Sequence, residues 1–271
     1  MYAGTTFRRD SGRIVGVHQK IDRASRRLLK KLIGKDAAFP SISQILHFEG
    51  INGPDGIKRK SPSKDEPWHY IDPTKDDDRA LIGLINDHMV NLVVALRTKN
   101  DERAAFEAAW LAHAIVDGLT PAHHYPLNDK IEELWGKPHT ERLTIKDKNI
   151  IKGTNRRDTI SKNWQYWGAG GVFTAHLGFE LGVASTIAPH RFSDSGPSQL
   201  DIRTLDKIGF EAFFIKSVHK IYNLGMYDEF GSKGWTRKLA NQTRNVLIPE
   251  IIKVVCLAWY NALSVAKIDE V

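Results

Sequence analysis

Residues 110–126 read WLAHAIVDGLTPAHHYP. Apolar side chains surround His113 and Asp117, which stand four positions apart. At 3.6 residues per turn, that spacing puts an imidazole and a carboxylate on one helical face. Pro121 ends the predicted helix, and His123 and His124 follow directly. The chain thus leaves an apolar helix and returns two more imidazoles close to its end. Few structural needs call for so many nitrogen and carboxylate groups beside apolar residues, and metal binding is one of them.

The same 3.6-residue period extends outward from this stretch. Residues 14–33 place Ile14, Val17, Ile21, Ala24, Leu28 and Leu32 on one stripe, with His18 on or beside it and facing inward. Asp76, Asp77 and Asp78 precede a helix in RALIGLINDHMVNLVVALR, where the macrodipole favours acidic groups. Further helices are expected at about 101–117, 172–187, 201–223 and 237–266. The Gly-, Pro- and Lys-rich run GINGPDGIKRKSPSKDEP at 50–67 reads as a long loop. Strand signals are poor and no internal repeat is found. The expected fold is all-α: a single-domain multi-helix bundle over residues 1–271 with long metal-binding loops. An insertion of short helices is expected at about 125–171.

Composition narrows the function classes. At 271 residues with 41% apolar content, the chain can build a real core. No apolar run approaches 18–20 residues, so no transmembrane segment is expected. The first residues, MYAGTTFRRDSGRIVGVHQ, lack an apolar signal region. The expectation is a cytoplasmic protein as the chain stands, or a secreted one if a leader has been removed. The single Cys256, within IIKVVCLAW, has no intramolecular disulfide partner and reads as a buried thiol. A net charge of +7 favours anionic partners such as phosphate esters, nucleic acid or acidic lipid, against the plainer reading of a solvated basic surface. No protein partner is inferable.

Other candidate ligands lie along the chain. His176 and Glu180, in HLGFE, repeat the four-residue pairing of His113 and Asp117. His69 stands in PWHYIDP, and Asp55 in GPDG. Taken singly, an inward His is usually a core residue and a His-x-x-x-Glu pair is often a surface pair. An Asp among Gly and Pro is usually a turn residue. His47, His88, His139, His190 and His219 are assigned to that ordinary class. Together, the remaining groups converge from several helices and a loop, as metal sites in helix bundles do.

Their order carries a resemblance. The series His18, Asp55, His69, His113-x-x-x-Asp117, Pro121-x-His123 and His176-x-x-x-Glu180 resembles the zinc-dependent phospholipase C and single-strand-specific nuclease superfamily. The match is most specific in HAIVDGLTPAH and covers residues 14–181 in patches. The resemblance implies two or three zinc ions. One would be held by His69, His113 and Asp117, with Asp55 as ligand or general base. A second would be held by His123, His176 and Glu180. Asp117 would bridge to a third, which His18 also binds.

Some positions depart from the family pattern. The family's third zinc is also chelated by the amine and carbonyl of an N-terminal Trp, whereas this sequence has Met1 there and no Trp before Trp68. The step from His123 to His176 is longer than the family's, in keeping with the insertion. His139 and Glu141, two residues apart, cannot share a helical face, so His176 and Glu180 are the preferred pair. The positions of the family's choline-binding aromatic cage read here as Gly56 and Glu66, which does not imply phosphatidylcholine specificity.

The implied activity is a zinc-dependent phosphodiesterase of the phospholipase C kind, using a metal-bound hydroxide as nucleophile. Asp55 would take the proton of the attacking water, and Asp117 would fix the metal spacing. A single-strand nuclease is the alternative within the superfamily. Its stacking platforms would be Trp68, Tyr70, Trp164 and Tyr166, although tryptophans in a helical protein are expected in the core. A non-catalytic, metal-stabilised binding protein is the remaining alternative.

Overall fold

The computed structural model describes residues 1–2, 16–34, 38–62, 65, 68–125 and 127–268. Ile14 and Glu66 lie outside the described residues. The chain is all-α, with no strand among the described residues.

The core is arranged around two helices whose sequences are apolar for different reasons. Helix α5 (Asp101–Gly118) is rich in alanine, and Ala104, Ala105, Ala108, Ala109, Ala112 and Ala114 are all buried. Small side chains let neighbours approach its backbone closely. Helix α14 (Ile248–Ile268) is apolar around most of its circumference. Such a helix belongs in the middle of a bundle, and Ile251, Ile252, Val254, Val255, Cys256, Leu257, Ala258 and Trp259 have no exposure. Trp259 donates its indole N–H to the Ala108 carbonyl at 3.0 Å, joining α14 to α5.

Helix α1 (Val17–Ile33) and helix α4 (Ala80–Arg97) complete this layer against α14 and α5. The stripe predicted for α1 is buried at Val17, Ile21, Ala24 and Leu28, while Leu32 is half-buried. Helix α4 and the continuous stretch Arg237–Lys267 are long and apolar enough to cross a membrane by length and composition alone. Most of the latter is buried in the bundle. Cys256 lies in it, and burial pushes its thiol up to about 12.

Two expected boundaries differ. The run at 50–67 is not all loop: Gly50–Asn52 is a 3₁₀ turn and Pro54–Lys60 is a helix, α3, following the short helix α2 (Ile42–His47). Pro54 is tolerated because it stands at the first turn, where its missing N–H has no intrahelical role. The helix expected at 201–223 is two, Gln199–Ile208 and Phe210–Tyr222, split at Gly209 with φ +77°.

The expected insertion contains helix α6 (Leu127–Trp135), α7 (Ile145–Asn149) and α8 (Arg156–Trp167). It has a small core of its own, built from Ile131, Ile151 and Tyr166. Helix α9 (Val172–Ile187) then returns the chain to the main bundle, burying Phe179, Val183 and Ile187.

Candidate metal centre

Helix α5 ends at a close approach that fixes its last turn. A Cβ on Gly118 would lie 2.7 Å from Leu81 and Phe214 side-chain atoms. Thr120 donates its N–H to the Asp117 carbonyl at 2.9 Å, and the 3₁₀ turn Pro121–His124 follows. This reversal brings His123 back beside Asp117, with 3.6 Å between His123 Nδ1 and Asp117 Oδ1.

Six of the anticipated ligands form two buried groups, each compact enough to hold a metal ion. The first is His18, His113 and Asp117, and the second is His123, His176 and Glu180. In the first, the His18 and His113 rings stack 3.9 Å apart. His18 Nε2 lies 3.3 Å from Asp117 Oδ1, and His113 Nε2 lies 3.3 Å from Asp117 Oδ2. In the second, Glu180 Oε1 is 3.0 Å from His123 Nε2 and 3.1 Å from His176 Nε2. Asp117 touches members of both groups.

The imidazoles are oriented from behind. His113 directs Nδ1 to the Glu49 carboxylate at 3.1 Å. His123 donates its Nδ1–H to the His69 carbonyl at 2.8 Å. In each ring the outer hydrogen bond orients the imidazole and aims Nε2 at the carboxylates, the arrangement a metal-ligating histidine uses. Glu49 thus belongs to the candidate centre, and sequence reasoning missed it. Nothing around it in HFEG distinguishes it from a surface acid, although it is only 2% exposed.

Other polar atoms here are unmatched. Both ring nitrogens of His18 and the Nδ1 of His176 are buried without a hydrogen-bond partner. Leaving such groups unpaired costs about 1–3 kcal/mol each. A cation between His18, His113 and Asp117 would satisfy a His18 nitrogen that makes no hydrogen bond within the protein. The donor set, two imidazoles and a carboxylate per group, suits a borderline ion such as zinc.

Charge points the same way. Asp22, Glu49, Asp117 and Glu180 are all buried around the centre. The Met1 ammonium lies 2.5 Å from Asp117 Oδ1 and 3.3 Å from Glu180 Oε1. It is anchored by the bond from the Val17 N–H to the Tyr2 carbonyl, at 2.8 Å. Burial alone would lower the pKa of this amine, but Asp117, Glu180 and Asp55 outweigh it and raise it to about 10. For Asp117, burial acts upward, but His123, the Met1 ammonium and His113 hold the carboxyl well below its ordinary range. Burial takes His123 down to about 4 against the pull of Asp117. His113 is raised well above the ordinary value: burial opposes this, and Glu49 and then Asp117 prevail.

Asp55 and His69 stand apart from the two groups. Asp55, on α3, is partly exposed, and its Oδ1 is 3.9 Å from His113 Nε2. His69 is buried, but its Nε2 accepts from Lys58 Nζ at 2.5 Å, and its ring lies 5.5 Å from that of His123. It is His18 that stands with His113 and Asp117, where the resemblance puts His69. His124 instead donates Nε2–H to the Gly118 carbonyl at 3.0 Å and braces the turn. His88, assigned to the ordinary class, pairs with Glu107 at 2.5 Å between α4 and α5.

The second group opens into a cleft of about 420 Å³ lined by Met1, Asp55, His123, His176 and Glu180. Lys58 and Arg59 add positive charge to its wall, and Trp167 and Phe173 add aromatic surface. Gly56, the cage position next to Asp55, has no room for a side chain, since a Cβ would lie 2.0 Å from the Ile51 carbonyl oxygen. Of the residues weighed as stacking platforms, Tyr70 and Tyr166 are buried and Trp68 is half-buried, but Trp164 is 68% exposed. No protein family, curated protein or solved structure matches this chain significantly.

Proposed function

We propose that the protein is a zinc-dependent phosphoric-ester hydrolase of the phospholipase C kind. The observation that carries this reading is the pair of buried His/His/carboxylate groups that adjoin through Asp117 and His123, the second of them lining a cleft with basic walls. His18, His113 and Asp117 would hold one ion, and His123, His176 and Glu180 another. A third ion is the finer part of the proposal. Zinc at such a centre acidifies bound water and neutralises charge on phosphate oxygens.

The protein's own groups would do the remaining work. Lys58 and Arg59 would draw the phosphate into the cleft and hold its anionic oxygens. Asp55, partly exposed and 3.9 Å from His113, would orient an attacking water and accept its proton. Asp117, ionised and fixed from several sides, would keep the two groups in register. The Lys58–His69 contact would hold the α3 ammonium at the cleft wall.

A nuclease of the same superfamily is the second reading, favoured by Trp167 and Phe173 beside the cleft, where a base can stack. Element-resolved metal analysis of the purified chain should be combined with turnover of bis-p-nitrophenyl phosphate, a phospholipid and single-stranded DNA, each with and without chelator. Two or three zinc ions per chain and chelator-sensitive turnover support the proposal. Chelator-indifferent turnover rejects the zinc reading, and bound metal without turnover favours a non-catalytic binding protein.

A further inference from the structure

The insertion's outer face has a character that the metal centre does not use. Helix α8 buries Tyr166 toward the small core, yet Ile160, Trp164 and Trp167 are exposed. Their spacing, i, i+4 and i+7, puts them on one face of the helix. Ile160 is 61% exposed and Trp164 is 68% exposed. Leu143 and Ile145, at the start of α7, are exposed as well. Trp167 and Ile145 also line the cleft, so the apolar surface begins at the cleft's mouth and runs outward along α8.

This surface is built rather than loose. Trp164 packs over the helix end, where a Cβ on Gly168 would lie 2.8 Å from the indole ring. Lys148, from α7, donates to the Lys58 carbonyl and to the Ser61 carbonyl at the end of α3. The insertion is thereby tied to the helix that carries Asp55 and Lys58. The segment is also cationic. From Leu143 to Trp167 there are six Lys or Arg residues against Asp147 and Asp158. Both acids are already paired, Asp147 with Lys152 at 3.3 Å and Asp158 with Lys162 at 3.0 Å.

We infer that this face docks on an anionic lipid bilayer, with Ile160 and Trp164 entering the interface and the cleft mouth turned toward the lipid headgroups. Tryptophan beside aliphatic residues, in a segment rich in lysine and arginine, suits the boundary between headgroups and acyl chains. A single-stranded nucleic acid would use the indoles and the charge, but it has no counterpart for Leu143, Ile145 and Ile160. The cleft's orientation toward the surface rests on the phosphoester-hydrolase reading, whereas docking itself does not.

The test is flotation of the full chain, metal-loaded and chelator-treated, with vesicles of phosphatidylcholine alone or mixed with phosphatidylserine. The expected result is salt-sensitive binding to the phosphatidylserine vesicles only, with a blue shift in tryptophan emission. The double variant Ile160→Ser/Trp164→Ser should bind at least about tenfold more weakly. Its melting temperature and its turnover of bis-p-nitrophenyl phosphate should be unchanged. Absence of vesicle binding at low salt overturns the inference, and so does full binding by the double variant. Tighter binding to single-stranded DNA than to vesicles, lost in the same variant, assigns the face to nucleic acid instead. Vesicle binding without hydrolysis of any phosphoester leaves docking in place and removes the hydrolase reading.

Discussion

His113 is held between two carboxylates, with Nδ1 3.1 Å from Glu49 Oε1 and Nε2 3.3 Å from Asp117 Oδ2. The outer carboxylate makes the inner nitrogen more basic and fixes where it points. Glu49→Gln keeps the shape and removes the charge. Zinc affinity measured against a competing chelator should fall about ten- to a hundredfold, with the circular dichroism spectrum preserved. An unchanged affinity would show that Glu49 only fills space.

Asp117 has the opposite kind of importance, because it faces both groups of ligands at once. Asp117→Asn is expected to lower the metal content of the purified chain and to remove phosphodiester turnover. Retention of the full metal content, with only a shift in thermal stability, would contradict its place as a hub.

Gly56 tests whether α3 positions cleft residues. An alanine there meets the Ile51 carbonyl oxygen, which is backbone and cannot swing away as a side chain does. Relief requires α3 to move, carrying Asp55 and Lys58 with it. Gly56→Ala should cost roughly 1–3 kcal/mol in urea unfolding and reduce turnover by more than that loss explains at a temperature where the protein is folded. Wild-type turnover by a destabilised variant would mean that Asp55 and Lys58 are not needed where they stand.

These residues also show what was legible before any coordinates. His113 with Asp117, and His176 with Glu180, were visible because each pair lies within one helix, where a four-residue step has a fixed geometric meaning. Pro121 marked the reversal that returns His123. The inward position of His18 followed from the stripe on α1. Glu49 and Lys58 were invisible because their roles come from contacts across the fold, which leave no period in the sequence. Helix α3 was hidden by residues that usually signal a loop, since Pro54 is compatible with a helix only at its first turn. Trp164 was misplaced because aromatic content predicts burial on average, while α8 buries Tyr166 and turns its neighbouring tryptophan outward.

The titration behaviour of chelator-treated protein gives the sharpest check on the centre's electrostatics. Burial takes both His123 and His124 down to about 4. Between about pH 6 and 5 the unfolded chain protonates these imidazoles, near the usual 6.5, while the folded protein does not. The unfolded state then binds more protons, so stability falls as pH falls. Asp22 acts in the other direction. Burial and then the Glu49 carboxylate push it well above the ordinary range, so it keeps a proton in the fold that the unfolded chain releases. Raised His113 has no slope here, since both states are protonated, and it contributes stability that is lost at higher pH. The two histidines and Asp22 thus act on the pH dependence with opposite signs. Asp22→Asn removes the opposing group, and stability from urea unfolding should fall more steeply as the pH is lowered from about 6 to 5. An unchanged slope in that variant would mean that Asp22 does not hold its proton beside Glu49.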